Sequence, residues 1–339
     1  ETVTNESGNA ATVKANATDR NGVQTYTIAD VKQVSQAGSP VFTADTVLSS
    51  SAVDTKDDSF KLLSGTITFG NNDTTAEIAQ SHRIGYISFI GSSKVGWSLK
   101  ENLAPGVKIT LEHGGNAPVI VAQDANLSKA IPQIAKAGFY HAGQVCVSAQ
   151  RIYVHEEILD AFVSQLNLQA QEQKIGNPLN ENTLIGPIIS KSTLDRIDHW
   201  VQLAINEGAK LICGGNKLQN NCYEPTVLLN PSHDSLVSKE EIFGPVLCVY
   251  SFKENQEAIN LANNSPFIFQ SAAYTSSINS ALEFTEKLNG AAVMINTHPA
   301  FRVDWMPFGG QGLSGEGLGG IEYSVQEMLK QKLIVIHQD

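Results

Sequence analysis

Cysteine is scarce in this chain of 339 residues: four are present, at 146, 213, 222 and 248, and none forms a C-x-x-C pair. A zinc site or a disulfide framework therefore has little to build on. Cys213 and Cys222 flank Gly214-Gly215-Asn216 and would bridge only if that loop folded back, so reduced thiols in a cytoplasmic protein are the expectation. Basic residues are also short, 23 against 34 acidic ones, and the net charge of -11 argues against nucleic acid or an anionic membrane surface as partner. No apolar run is long enough to span a bilayer. Neither an initiating Met nor a signal peptide is seen, so the chain is expected to start inside a larger product or after processing. What remains is 42% hydrophobic, a soluble globular composition whose length exceeds one ordinary core.

The first 65 residues lack Cys and Trp and are rich in Ser, Thr, Asn and Asp. Val23-Gln24-Thr25-Tyr26-Thr27-Ile28 has strand character behind the hairpin signal Asn21-Gly22, so this segment reads as a β-rich module or a disordered extension. Downstream, strand-like and helix-like stretches alternate, which signals an α/β fold with a largely parallel sheet. Strands are predicted over 84–90, 107–111, 118–121, 246–252, 271–275 and 292–296, and helices over 93–103, 127–138, 156–173, 256–263 and 278–288. Residues 332–337 read as an exposed terminal strand.

Cys146 closes the segment Phe139-Tyr140-His141-Ala142-Gly143-Gln144-Val145-Cys146, and Leu111-Glu112-His113-Gly114-Gly115 lies upstream. A thiol is the side chain most readily made nucleophilic, since an ordinary pKa of about 8.5 leaves a few per cent thiolate at neutral pH. Gly143 and Gln144 would bring backbone close to a ligand, and the Cys146 amide would face a developing oxyanion. Glu112, at a strand end before two glycines, suits a general base that activates water. Singly, each residue has a plainer reading as a small buried hydrophobe or a solvated acid. His113 and His141 are read as ordinary polar residues, His113 because it points to the other side of the strand from Glu112.

Gly310-Gln311-Gly312-Leu313-Ser314-Gly315 matches G-x-G-x-x-G, yet no strand precedes it and no complete βαβ unit follows, so it reads as a flexible loop near a substrate entrance. Ile90-Gly91-Ser92-Ser93-Lys94-Val95-Gly96 is the better dinucleotide signal, because it follows a strand, opens a helix and offers amides to an anionic pyrophosphate.

These motifs, with Glu240-Glu241-Ile242-Phe243-Gly244-Pro245 and Pro307-Phe308-Gly309-Gly310 before Ser314-Gly315, occur in one order over residues 76–332. In that order and spacing the chain resembles the NAD(P)-dependent aldehyde dehydrogenase superfamily. The resemblance implies a partial dinucleotide-binding sheet plus a complete α/β catalytic domain. It divides the chain into an unassigned segment 1–65, a partial NAD(P)-binding domain 66–112, a catalytic thiol domain 113–320 and a C-terminal oligomerisation strand 321–339, as in a homodimer or homotetramer. It implies NAD or NADP as cofactor and a small-molecule aldehyde as substrate, with no metal. Cys146 would attack the aldehyde, hydride would pass to the nicotinamide, and Glu112 would activate water to release a carboxylic acid from the acyl thioester. Gly91 and Ser92 are matched to the phosphate, Val95 to the adenine side, and Glu241 and Phe243 to the nicotinamide ribose and ring.

Departures from the pattern keep alternatives open. The family's oxyanion-donating Asn and its ribose-binding Lys and Glu have no match before residue 76. Besides an enzyme completed by another chain or by the N-terminal module, the sequence suits a catalytically impaired fragment or fusion, or a binding or surface protein whose working part is that module. Arg302 would either bind an anionic group on a substrate or pair with Asp304, and the ion pair is the reading that needs no ligand.

Overall fold

The computed structural model describes residues 79–337 and, upstream, the backbone of five strands. Of these, β1 (Thr2–Thr4), β2 (Ala10–Thr18) and β3 (Gln24–Lys32) form an antiparallel sheet, and β4 (Ala44–Leu48) pairs with β5 (Gly65–Phe69). The Asn21-Gly22 turn lies outside the described residues, but the strands on either side pair antiparallel as its signal requires, from Ala10↔Lys32 to Thr18↔Gln24.

The remainder holds two larger sheets and one two-stranded pair. In the smaller, β6 (Tyr86–Ile90), the helix Ser93–Glu101 and β7 (Lys108–Glu112) make one parallel β-helix-β unit, in register from Tyr86↔Lys108 to Ile90↔Glu112. The larger sheet has seven strands. They are β8 (Ala117–Val121), β9 (Ala149–His155), β10 (Lys210–Cys213), β11 (Thr226–Leu229), β12 (Val246–Phe252), β14 (Gln270–Tyr274) and β15 (Ala292–Ile295), the two-residue β13 (Phe267–Ile268) standing outside it. Their order is β10-β11-β12-β9-β8-β14-β15, parallel throughout except for β10 against β11. Every residue of β8 and β14 is buried, as expected of central parallel strands covered on both faces; β8 accordingly reads as a continuous apolar run, whereas β14 opens on the buried polar pair Gln270 and Ser271. The helix Leu127–Phe139 starts where the Asn126 side chain accepts from the Lys129 N–H, and it buries Ile131, Ile134, Ala135 and Phe139.

Two expectations change. The stretch read as a flexible Gly-rich loop is sewn into the fold by two short strands: β16 (Gln311–Gly312) pairs with β13, and β17 (Gly315–Glu316) pairs with β7. Its glycines are packing requirements; at Gly315, φ is +138° and any Cβ would overlap the Leu111 carbonyl. Residues 332–337, read as a terminal strand, are exposed and lie in a stretch that carries no helix or strand behind the helix Ile321–Met328. A strand needs a ladder partner, and the described residues supply none there.

Candidate active site

Parallel strands of the two sheets present opposite ends to one place. Glu112 sits at the carboxyl end of β7, whereas Cys146, Glu241 and Phe269 lie in segments that lead into the amino ends of β9, β12 and β14. The turn before Cys146 is unusual: His141, Ala142 and Gly143 all have positive φ, at 51°, 57° and 68°. Gly143 is needed for close approach as well, since a Cβ there would overlap the carbonyl of Gly244. Sequence reasoning assigned this approach to a ligand; the neighbour is the loop that carries Glu241 and Phe243. Gln144 likewise points away from the thiol. Its Nε2 donates to Pro187 O at 3.2 Å and its Oε1 accepts from the Ile189 N–H at 2.9 Å, which ties down the segment ahead of Cys146.

The thiol of Cys146 is half-buried beside Val147, Phe269 and Phe308, whose rings lie 4.9 Å apart. Burial pushes its pKa up to about 11; the negative charges of Glu112 and Glu241 push the same way, and the N–H groups of Cys146 and Val147 oppose them. Ground-state activation is thus withheld. Alkylation of Cys146 by iodoacetamide is expected to keep accelerating through pH 9 and 10 without a plateau, and Glu241→Gln to speed it roughly threefold at pH 8 by removing a repelling charge. A plateau near pH 8 in rate-against-pH labelling would contradict this environment.

Burial raises the pKa of Glu112, and the Arg302 guanidinium counteracts it. Glu241 is pressed against Gly114, where any Cβ would overlap its carboxylate, and it accepts from the Gly115 N–H at 3.2 Å. Burial lifts it to about 7, against the pull of that N–H and of Arg196. Two side chains with no motif signal hold this loop. Gln150 donates to Val237 O and Glu240 O and accepts from the Ile242 N–H, and Arg196 donates to Ile242 O at 2.7 Å. Gly91 and Ser92 are exposed just ahead of the helix Ser93–Glu101, with Val95 half-buried within it. The Gly91 N–H donates to Glu112 O at 3.1 Å, so the predicted phosphate turn and the predicted base share a main-chain bond.

Arg302 does not pair with Asp304. Among the described residues it forms no ion pair, and its guanidinium lies 4.1 Å over the Phe308 ring, on the wall of the thiol pocket. The four cysteines are all unpaired. A cavity of about 470 Å³ is lined by Asn177, Pro187, Leu218 and Cys222, with neither Cys146 nor Glu112 in its wall.

Residues 54–334 match the aldehyde dehydrogenase family model. The chain belongs to the aldehyde dehydrogenase family. The match begins at 54, upstream of the motif-bearing stretch. A lactaldehyde dehydrogenase from Methanococcus maripaludis is 41% identical over 269 residues, which is 79% of this chain and 57% of the relative. Among solved structures, aldehyde dehydrogenase 21 from Physcomitrella patens, in complex with the reaction product succinate, aligns with TM-score 0.77 and 35% identity over 80% of this chain and 56% of that one. Glyceraldehyde-3-phosphate dehydrogenase from Methanocaldococcus jannaschii, complexed with NADP, aligns with TM-score 0.74 and 39% identity over 76% and 56%. This aldehyde dehydrogenase chain therefore spans a little over half the length of the relatives it matches, with their α/β fold.

Proposed function

We propose that the chain carries the thiol half of an NAD(P)-dependent aldehyde oxidation that yields a carboxylic acid. One observation supports it above others: Gly115, three residues after Glu112, donates its N–H to the Glu241 carboxylate, and a Cβ on it would stand 3.5 Å from the Cys146 carbonyl oxygen, so both acids and the thiol segment meet at one turn. Cys146 adds to the aldehyde carbon, with the Cys146 and Val147 amides beside the sulfur. The nicotinamide group, when bound, supplies the hydride acceptor. Glu112, whose pKa burial raises, takes a proton from the water that cleaves the resulting thioester.

The donor set suits a dinucleotide in chemistry: an exposed turn at a helix start for phosphate at Gly91 and Ser92, Val95 behind it, a carboxylate for sugar hydroxyls at Glu241, and an aromatic ring at Phe243. The Gly115 N–H occupies only Oε1 of Glu241, so further acceptor capacity remains for a ribose hydroxyl. NAD and NADP are both compatible with these residues. We place the division of labour at 66–112 for cofactor and 113–320 for chemistry, with the exposed tail in 321–339 pairing across a homodimer or homotetramer boundary and the free thiols kept reduced in the cytoplasm. No helix among the described residues is long and apolar enough to cross a membrane.

Arg302 favours an aldehyde that bears an anionic group, as glyceraldehyde 3-phosphate and the precursor of succinate both do, because its charge is unpaired at the pocket wall. Aldehyde-dependent NAD(P)H formation, lost in Cys146→Ala, tests the chemistry; no turnover with any aldehyde and either cofactor would favour the impaired reading. Arg302→Met is expected to raise KM for succinic semialdehyde roughly tenfold and to leave butanal unchanged. Equal effects on both aldehydes would remove the anion preference.

A further inference from the structure

His113 directly follows Glu112, is 1% exposed, and has no task in the chemistry above. Its main-chain N–H donates to Ser314 O at 3.0 Å, and its Nδ1 lies 2.9 Å from Leu313 O. A carbonyl only accepts, so Nδ1 carries the proton and Nε2 is left a bare acceptor. That nitrogen is buried without a partner. It faces Gly96, where any Cβ would overlap it, and the ring packs edge-on to Phe89 and Trp97 with centroids 6.0 Å and 5.7 Å away. An unsatisfied buried acceptor is destabilising, and leucine would fill a similar space without it. What the imidazole has and leucine lacks is the bond to Leu313 O.

That bond belongs to a set that encloses Glu112. Gly315 pairs with Glu112 in the ladder of β17 and β7, and Glu112 Oε2 lies 3.6 Å from where a Gly319 Cβ would stand. Residues 313–319 thus form one wall around the carboxylate, and His113 fastens the first of them.

We propose that His113 is a positioning residue that holds the 313–319 wall against the end of β7 and so keeps the Glu112 carboxylate aimed at water. This rests on the reading of Glu112 as the base for thioester cleavage. The burst of product from the first turnover precedes that step, whereas steady turnover depends on it, so the two separate a defect at Glu112 from a general one.

The test uses the full chain with Leu and Asn at 113, and with Leu at 113 in Glu112→Gln. His113→Leu is expected to slow steady turnover about tenfold with the burst and the aldehyde KM unchanged. His113→Asn, whose side-chain N–H can reach Leu313 O, restores most of the rate. In the Glu112→Gln background, Leu at 113 has no further effect, because the two substitutions remove the same function. Independently of turnover, ¹⁵N spectra of the histidine-labelled chain show a proton on His113 Nδ1 and none on Nε2. Equal slowing of burst and steady state, additivity with Glu112→Gln, failure of Asn to restore the rate, or a proton on Nε2 overturns the proposal. A wild-type chain that forms no NAD(P)H with any aldehyde defeats the enzyme reading itself, and the proposal with it. If His113→Leu does not fold, the Asn variant and the ¹⁵N spectrum decide.

Discussion

Glu112→Gln is expected to leave the first turnover intact and to abolish most of those that follow. An amide cannot take the proton that water must lose, and the loss of a positioned base slows such a step by about 10²- to 10⁴-fold. Steady NAD(P)H formation falls by that factor, while a burst of one equivalent per active thiol persists. The acylated chain should then accumulate, visible as a mass increase of one acyl group on the peptide that holds Cys146. Loss of the burst as well would mean that Glu112 acts at the first step. Its placement argues against that, because its charge raises the thiol pKa and so disfavours the nucleophilic form.

The second large effect is structural. Gly143→Ala places a methyl group onto the Gly244 carbonyl in a backbone at φ +68°, so a positive-φ penalty and an overlap act together. A destabilisation of about 2–4 kcal/mol is expected, a drop of several degrees in melting temperature, with Cys146 displaced and its labelling rate altered. Gly106→Ala is the control. Its φ is +86° but no atom lies within 4 Å of the added carbon, so only the backbone penalty of about 1 kcal/mol applies. Similar losses at both positions in thermal unfolding would show that the contact with Gly244 contributes nothing.

Much of this was legible in the residues. The strands predicted over 84–90, 118–121 and 246–252 appear as Tyr86–Ile90, Ala117–Val121 and Val246–Phe252; the last two are buried parallel strands, which advertise themselves as apolar runs, whereas Tyr86–Ile90 is half-buried to exposed. The helix predicted over 156–173 is shorter, Leu159–Gln171, because residues 156–158 form a 3-10 turn. Strand β9 was harder to see because it carries Gln150 and Arg151. Arg151 is only 3% exposed, and its guanidinium is satisfied by Asn116 O, Leu261 O, Ala262 O and the Tyr153 hydroxyl. Local periodicity cannot foresee an arginine buried among partners that far away in sequence. The helix Lys191–Asn206 does have its signal, a Ser190 cap and Leu194, Ile197, Val201 and Ala204 on one face, but no motif draws attention to it.

At the site, the sequence singled out the thiol, the carboxylates and the predicted phosphate turn as candidates, since each lies in a short motif. It misassigned Gly143 and Gln144, whose partners Gly244 and Pro187 are brought close only by the fold, and of its two readings for Arg302 the ion pair with Asp304 is not formed. The approach of a glycine to a carbonyl a hundred residues away leaves no trace in either segment.

The distances between the reactive groups are set largely by main-chain atoms: Gly91 N–H on Glu112 O, His113 N–H on Ser314 O, Gly143 against the Gly244 carbonyl. Side chains such as Phe269, Phe308 and Arg302 only paper the walls. Substitutions on those walls can therefore retune which aldehyde enters while the geometry of thiol and base is inherited unchanged, so a scaffold of this kind can diversify in diet without reinventing its reaction.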